Sequence, residues 1–183
     1  MRRNIQFKQK ERKQVRLKGY NYSAGGYYFI TACVKGRKCC LGHIADDGVK
    51  LSELGEVVKE QLLWVEKQYV YAEINEYIIM PNHFHLILAL NVGNGRDRSL
   101  QKIKSASSLI GAFKTTSSKK IHKRGFPDFK WQKSFHDRII RNEKSYIKTR
   151  EYIWNNPFKW HEDIENPAVK GKNSKDYYKN MIM

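Results

Sequence analysis

The sequence predicts an α+β domain of ferredoxin-like type, a βαββαβ antiparallel sheet with helices on one face, followed by one more helix. Two observations predict it. Strand-like and helix-like stretches follow one another as strand, helix, strand, strand, helix, strand, helix. The run His83-Phe-His-Leu-Ile-Leu-Ala-Leu90 alternates so that Phe84, Leu86, Leu88 and Leu90 share one uniformly apolar face, suited to packing under helices.

Tyr27 to Val34 is rich in aromatic and β-branched residues and reads as the first strand. A turn-rich stretch follows, with Gly36, Gly42 and Asp46-Asp-Gly48. Leu51 to Tyr69 reads as an amphipathic helix capped by Ser52, with Val57, Leu62 and Val65 among its apolar positions. Tyr71 to Met80 and His83 to Leu90 are the second and third strands, tightly joined at Pro81-Asn82. After a polar loop over 91–98, Ser99 is the expected cap of a second helix carrying Leu100, Ile103, Ile110 and Phe113 at helical spacing. Basic residues continue that helix until Gly125-Phe-Pro127 breaks it. A short strand falls around Phe135 to Ile139, and Asn142 caps a last helix that ends before Pro157. The expected organisation is a flexible basic arm over 1–19, one domain over 20–160 and a polar tail over 161–183, with no internal repeat.

Charge narrows the function. The chain carries 35 Lys+Arg against 18 Asp+Glu, a formal charge of +17. The segment Arg2 to Lys18 holds eight basic residues and one acidic one, and Lys102 to Arg124 holds no acid at all. A polyanion is the natural partner of such a field, and nucleic acid is the commonest one. Eleven Tyr, eight Phe and four Trp accompany the charge; most belong to a core, while aromatics among cations also suit stacking on unpaired bases. Cys33, Cys39 and Cys40 make no disulfide framework, which fits a reducing compartment, and Cys40-x-x-His43 is at most half of a zinc site. No run approaches transmembrane length, so a cytoplasmic protein is expected.

His83 and His85 lie on the strand face opposite the apolar one, side by side, where both reach one metal ion. A lone strand histidine is more often a satisfied structural residue; a pair facing away from a built core needs a further reason, and metal binding supplies one. On the wheel of the last helix, Tyr146, Ile147, Ile153 and Trp154 form the stripe expected to bury. Tyr152 lies nearly opposite, flanked by Lys148 and Asn156 four residues to either side. Two imidazoles and one amide oxygen would hold a divalent metal with positions open for a phosphate oxygen. A phenol activated beside that metal could attack phosphorus, forming a covalent phosphotyrosine and expelling a 3′-hydroxyl.

These residues carry a family resemblance. Pro81-Asn-His-Phe-His85 resembles the histidine–hydrophobic–histidine (HUH) motif of the single-tyrosine, IS200-like transposases. Arg16-Leu-Lys-Gly-Tyr20 and Gly26-Tyr-Tyr-Phe-Ile-Thr31 resemble the N-terminal region of the REP-associated tyrosine transposase branch. Trp131-Gln-Lys-Ser-Phe-His-Asp-Arg-Ile-Ile-Arg141 and Tyr152-Ile-Trp-Asn-Asn-Pro157 resemble its C-terminal signature, so the match runs in order over residues 12 to 160. The resemblance implies an HUH endonuclease fold that cleaves and rejoins single-stranded or hairpin, REP-like DNA with Mg²⁺ or Mn²⁺. It implies Tyr152 as nucleophile, His83 and His85 as metal ligands, and Asn156, or Asn155 in its place, as the third ligand. Imidazole ligands by themselves suit Zn²⁺ or Mn²⁺ better than Mg²⁺.

For DNA contacts, Arg12, Lys13, Arg16 and Lys18 on the arm come first, because an arm has no competing core role; Lys102, Lys114, Arg138 and Arg141 follow. His136 is a candidate polar group beside the site. Three readings stand at this point: a covalent tyrosine nuclease, a domesticated relative that binds hairpin nucleic acid without chemistry, and a metal-dependent hydrolase using water. A homodimer is left open, as is nucleoid association through DNA.

Overall fold

A computed structural model describes residues 25–46, 48–91, 103–169 and 177–178. In chain order the elements are β1 (Gly26–Cys33), β2 (Gly42–Ala45), β3 (Gly48–Leu51), α1 (Glu53–Gln68), β4 (Ala72–Ile79), β5 (His83–Leu90), α2 (Ala106–Lys123), β6 (His136–Ile140) and α3 (Glu143–Asn155). The main sheet runs β4-β5-β1-β6 with every neighbouring pair antiparallel. This is the βαββαβ arrangement expected from the sequence, with β2 and β3 added as a separate hairpin.

Period-two alternation decides what each face of the sheet does. Tyr28, Ile30 and Ala32 of β1 point with Phe84, Leu86, Leu88 and Leu90 of β5 into the main core under α1 and α2. There they meet Val57, Val58 and Leu62 of α1 and Leu109, Ile110 and Phe113 of α2. The other face places Phe29 and Ile87 against Ile153 of α3, Ile164 and Tyr178. Both faces are therefore covered: α1 and α2 take one, α3 and the chain after it take the other.

Three local expectations change. The turn-rich stretch contains the β2–β3 hairpin, which pairs Ala45 with Gly48, the latter at φ +127. The second helix starts at Ala106 with Ser105, not Ser99, as cap; the Ser105 hydroxyl accepts from the Ser108 amide. Lys104 is held outside the helix, its N–H donating to the Tyr71 hydroxyl and its Nζ to the Tyr69 hydroxyl. Ser99 and Leu100 lie outside the described residues. On α3, only part of the expected buried stripe buries: Ile153 is sealed, whereas Ile147 is 46% and Trp154 is 52% exposed. The helix leans on the sheet through Thr149, Ile153 and Asn156, and this rotation turns Tyr152 inward. Hydrophobicity by itself does not report that choice, because the face toward the site is polar.

Two glycines in helices separate close approach from free space. A Cβ at Gly55 would overlap the Leu41 carbonyl oxygen, which accepts from the Ser52 amide just before α1. Around Gly111 a Cβ meets nothing within 4 Å. Gly55→Ala should therefore cost about 1–3 kcal/mol through overpacking, despite alanine's better helix propensity. Gly111→Ala should stabilise by about 0.5–1 kcal/mol. Urea denaturation of the two variants checks both signs.

Candidate active site

The site is built where β5 leaves the Pro81-Asn82 turn. His83 and His85 project from the same face, both at 0% exposure. Their Nε2 atoms are 2.9 Å apart, while each Nδ1 is engaged elsewhere. His83 Nδ1 is 2.8 Å from Asn82 Oδ1, an acceptor that requires the proton on Nδ1 and leaves the Nε2 lone pair free. His85 Nδ1 is 2.7 Å from Thr31 Oγ1, from the strand partner directly opposite it.

Burial, reinforced for His85 by His83 and His136, holds both imidazoles below their ordinary 6.5. For His83 the carboxylates of Asp163 and Glu165 oppose that shift. With its Nδ1 proton given to Asn82, His83 presents a bare Nε2 lone pair, which at 2.9 Å takes either a proton from His85 Nε2 or a cation shared with it.

The remaining members come from α3 and the segment after it. Tyr152 Oη is 3.2 Å from His85 Nε2. Burial, then the nearby Asp163 carboxylate, pushes its phenol well above the usual 10, opposed by a hydrogen bond from Asn156. Asp163 Oδ2 is 3.8 Å from His83 Nε2. His83, His85 and Asp163 offer ligand atoms within 4.8 Å of one another. Asn156 Oδ1 and Asp163 Oδ2 are buried oxygens with no hydrogen-bond partner among the described residues. Such orphans are costly unless a cation takes them up. Ligand atoms at right angles around one divalent ion stand about 3 Å apart, so the 2.9 Å nitrogen pair fits a shared metal. Neutral imidazole, carboxylate and amide donors suit a first-row divalent ion.

A 350 Å³ cavity leads to the tyrosine, lined by Lys148, Tyr152, Asn155, Asn156, Lys159 and Asp163 among others. The imidazoles are fully buried under a cover that includes Asp163, 3.8 Å from His83 Nε2, and Tyr178, whose ring lies 6.0 Å from that of His85, with Glu165 also buried. Arg37 fastens that cover: its Nε is 3.0 Å from Glu165 Oε2, and its carbonyl accepts from Asn82 Nδ2. Arg37 sits at φ +55 beside Gly36 at φ +69 in the short 3₁₀ turn Lys35–Arg37. A left-handed arginine costs about 1–2 kcal/mol and persists because both its ends are tied down.

The profile of the IS200-like transposases matches residues 23–156, from just before β1 to the amide that ends α3. The chain belongs to that family. Membership carries the transposase, DNA-binding and recombination character expected from the resemblance. An uncharacterized protein of Haemophilus influenzae is 36% identical over 164 residues, 83% of this chain and 91% of that one. The REP-associated tyrosine transposase of Escherichia coli K12 is 24% identical over 138 residues, 75% of this chain and 70% of that one. A solved REP-associated tyrosine transposase bound to a REP hairpin shares the fold, with TM-score 0.57 and 24% identity over 83% of this chain and 74% of its own.

Of the residues singled out in the sequence, His83, His85, Tyr152 and Asn156 come together. Asn155 lines the cavity mouth, but its Nδ2 donates to the Glu151 carbonyl. Lys114 points at the Gln132 and Lys133 carbonyls and over the Phe135 ring. Arg138 Nη1 donates to the Tyr178 carbonyl. Arg141 is exposed and lines a second cavity with Tyr27 and Tyr146. Arg12, Lys13, Arg16, Lys18 and Lys102 lie outside the described residues.

Asp163 was not legible from spacing. It follows α3 by a 3₁₀ turn (Trp160–Glu162) and falls beyond the span that the family profile matches. Its signal is faint: an Asp-Ile-Glu run whose apolar centre, Ile164, buries. Thr31 and Asn82 were equally silent, since a threonine in a strand and an asparagine in a turn are ordinary.

Asn82→Ala should lower Mn²⁺ affinity about 10–100-fold, because the His83 tautomer loses its acceptor. Isothermal titration of both proteins with Mn²⁺ checks this, and unchanged affinity would refute it. A second expectation concerns acid stability without metal. Burial, then Arg138, brings His136 from 6.5 to about 4, so the fold favours its neutral form. Its contribution is complete above pH 6.5 and is lost as pH falls toward about 4. In His136→Gln, the slope of stability against pH across that window should shrink by up to about 1.4 kcal/mol per unit.

Proposed function

We propose that this transposase cleaves and rejoins single-stranded DNA presented beside a hairpin, using Tyr152 as nucleophile. The observation that carries the reading is the line of Tyr152 Oη, His85 Nε2 and His83 Nε2, at 3.2 Å and 2.9 Å, ending on the unpartnered Asp163 oxygen. His83, His85 and Asp163, with Asn156 beside them, would hold a divalent cation, Mg²⁺ or Mn²⁺. When bound, it supplies Lewis-acid polarisation of a phosphate oxygen and the positive charge that a buried phenolate needs.

The chain's own groups do the rest. Lys148 and Lys159 flank the cavity and attract the phosphodiester toward Tyr152. The Tyr152 oxygen bonds to phosphorus as the bond from phosphorus to the 3′ oxygen breaks. The phenol gives up a proton and the leaving oxygen takes one up. The 5′-phosphotyrosine keeps the bond energy for rejoining. Tyr152 meets the histidines of its own chain, which supports a site that needs no partner subunit. The hairpin substrate is proposed by likeness to the REP-associated relative, whose solved structure is bound to a REP hairpin. Among the described residues no helix is long and apolar enough to cross a membrane, and a cytoplasmic, nucleoid-associated protein fits the reading.

A binding-only relative is favoured by one observation, the complete closure of His83 and His85. Cleavage requires Asp163, Glu165 and Tyr178 to draw back from the imidazoles. Labelled hairpin DNA bearing unpaired flanks, incubated with Mn²⁺ or Mg²⁺ and run on a denaturing gel beside Tyr152→Phe, decides. The expected result is a protease-sensitive, slow-migrating adduct in the wild type and its loss, by at least about 10³-fold, in the variant. Equal cleavage in both without an adduct would point to water as nucleophile. Binding without cleavage would point to the non-catalytic relative.

A further inference from the structure

A further cleft lies beside the Pro81-Asn82 turn, to which its wall is hydrogen-bonded, and neither the nuclease chemistry nor the family motifs use it. It is a 590 Å³ depression between the Lys35–Arg37 turn and the loop after α2. The two walls are joined by the Lys35 amide donating to the Lys130 carbonyl and by the bridge between Val34 and Trp131. Its floor is apolar, made by Val34, Leu54 and Phe129. Its rim carries Lys35, Lys38 and Lys130 against one carboxylate, Asp128. The Phe126 ring stands at the edge, 40% exposed, following Gly125 at φ +94.

The cleft is coupled to the catalytic residues through the backbone. The Val34 amide donates to the Asn82 carbonyl, the Leu41 amide to the Pro81 carbonyl, and Asn82 Nδ2 to the Arg37 carbonyl. The wall bearing Lys35 and Lys38 is thus hydrogen-bonded to the same two residues that place His83.

We propose that this cleft is a subsite for an unpaired nucleotide of the DNA strand, with its base against Phe126 over the apolar floor and its phosphates on Lys35, Lys38 and Lys130. The chemistry favours single-stranded DNA over other occupants. An apolar floor with an exposed aromatic accepts a flat, unstacked base, which a duplex does not offer, and three rim cations neutralise successive phosphates. The inference rests on the reading of this protein as one that acts on single-stranded DNA; it assigns where the flank of the cleaved strand is held.

The test measures equilibrium binding of fluorescent (dT)₁₂ and of a blunt 12-base-pair duplex, in EDTA, at several salt concentrations. Phe126→Ala should weaken (dT)₁₂ binding about tenfold with an unchanged salt slope, and Phe126→Trp should restore it. Lys35→Ala/Lys38→Ala/Lys130→Ala should lower the slope of log affinity against log salt by about 2, at about 0.7 per phosphate contact. Duplex affinity should change less than about twofold in the phenylalanine variants, because no base is free to stack. Wild-type protein that does not bind (dT)₁₂, or variants that lose both probes equally or neither, would overturn the assignment. All these residues are exposed, and thermal melting of each variant confirms an intact fold. Binding is measured in EDTA, where no metal-dependent cleavage takes place, so failure of the covalent chemistry and failure of this subsite show in different experiments.

Discussion

The Asn82 side chain satisfies three partners from three parts of the chain. It receives the His83 Nδ1 proton and donates to the Arg37 and Glu165 carbonyls. It is fully buried, so each of these bonds counts against the cost of a desolvated amide. One asparagine in a two-residue turn therefore sets a histidine tautomer, anchors the strained turn after β1 and holds the C-terminal segment over the site. Removing it would leave buried donors and acceptors unmatched on all three sides. The imidazole geometry, the arginine clasp and the cover all depend on it.

The sheet divides its labour by strand periodicity. One face of β1 and β5 is aliphatic and aromatic and supplies the main core beneath α1 and α2. The opposite face carries a rung of polar groups across three strands, in which Thr31 of β1 stands between His85 of β5 and His136 of β6. A smaller apolar cluster of Phe29, Ile87, Ile140, Ile153, Ile164 and Tyr178 surrounds that rung and excludes water. Low dielectric makes the rung's hydrogen bonds strong and its unpaired lone pairs expensive. That is why two orphaned oxygens beside a pair of imidazole nitrogens 2.9 Å apart point to a cation in this setting.

The nucleophile shares this logic. Burial and the Asp163 carboxylate both raise the Tyr152 phenol, so the resting site holds it protonated. The same carboxylate that disfavours the phenolate is a candidate metal ligand. A divalent ion bound there would reverse the local sign of the field and tie activation of the tyrosine to loading of the site. Lys148 and Lys159 at the cavity add to the positive potential that meets an incoming phosphate.

Much of this was legible in one dimension, because it follows from local periodicity and capping. The alternation through β5 fixes which residues stand on the histidine face, and Ser52 and Asn142 cap α1 and α3 where their side chains predict. The Asp-Gly step at residues 47–48 was a hairpin signal as well, though its strands are too short and mixed to stand out. The sequence by itself thus determined the order of strands and helices along the chain, the facing of His83 with His85 and the net charge of +17. Tertiary structure alone decided the rest: the rotation of α3 that turns Tyr152 inward, the arrival of Asp163 beside His83, and the sealing of the imidazoles by residues from a polar tail. The reason is physical. Alternation and caps act between neighbours along the chain, whereas a helix's roll and a tail's docking are chosen by unmatched polar groups and apolar surface far away in sequence. They become visible only when Asn82, Arg37 and Glu165 are in one place.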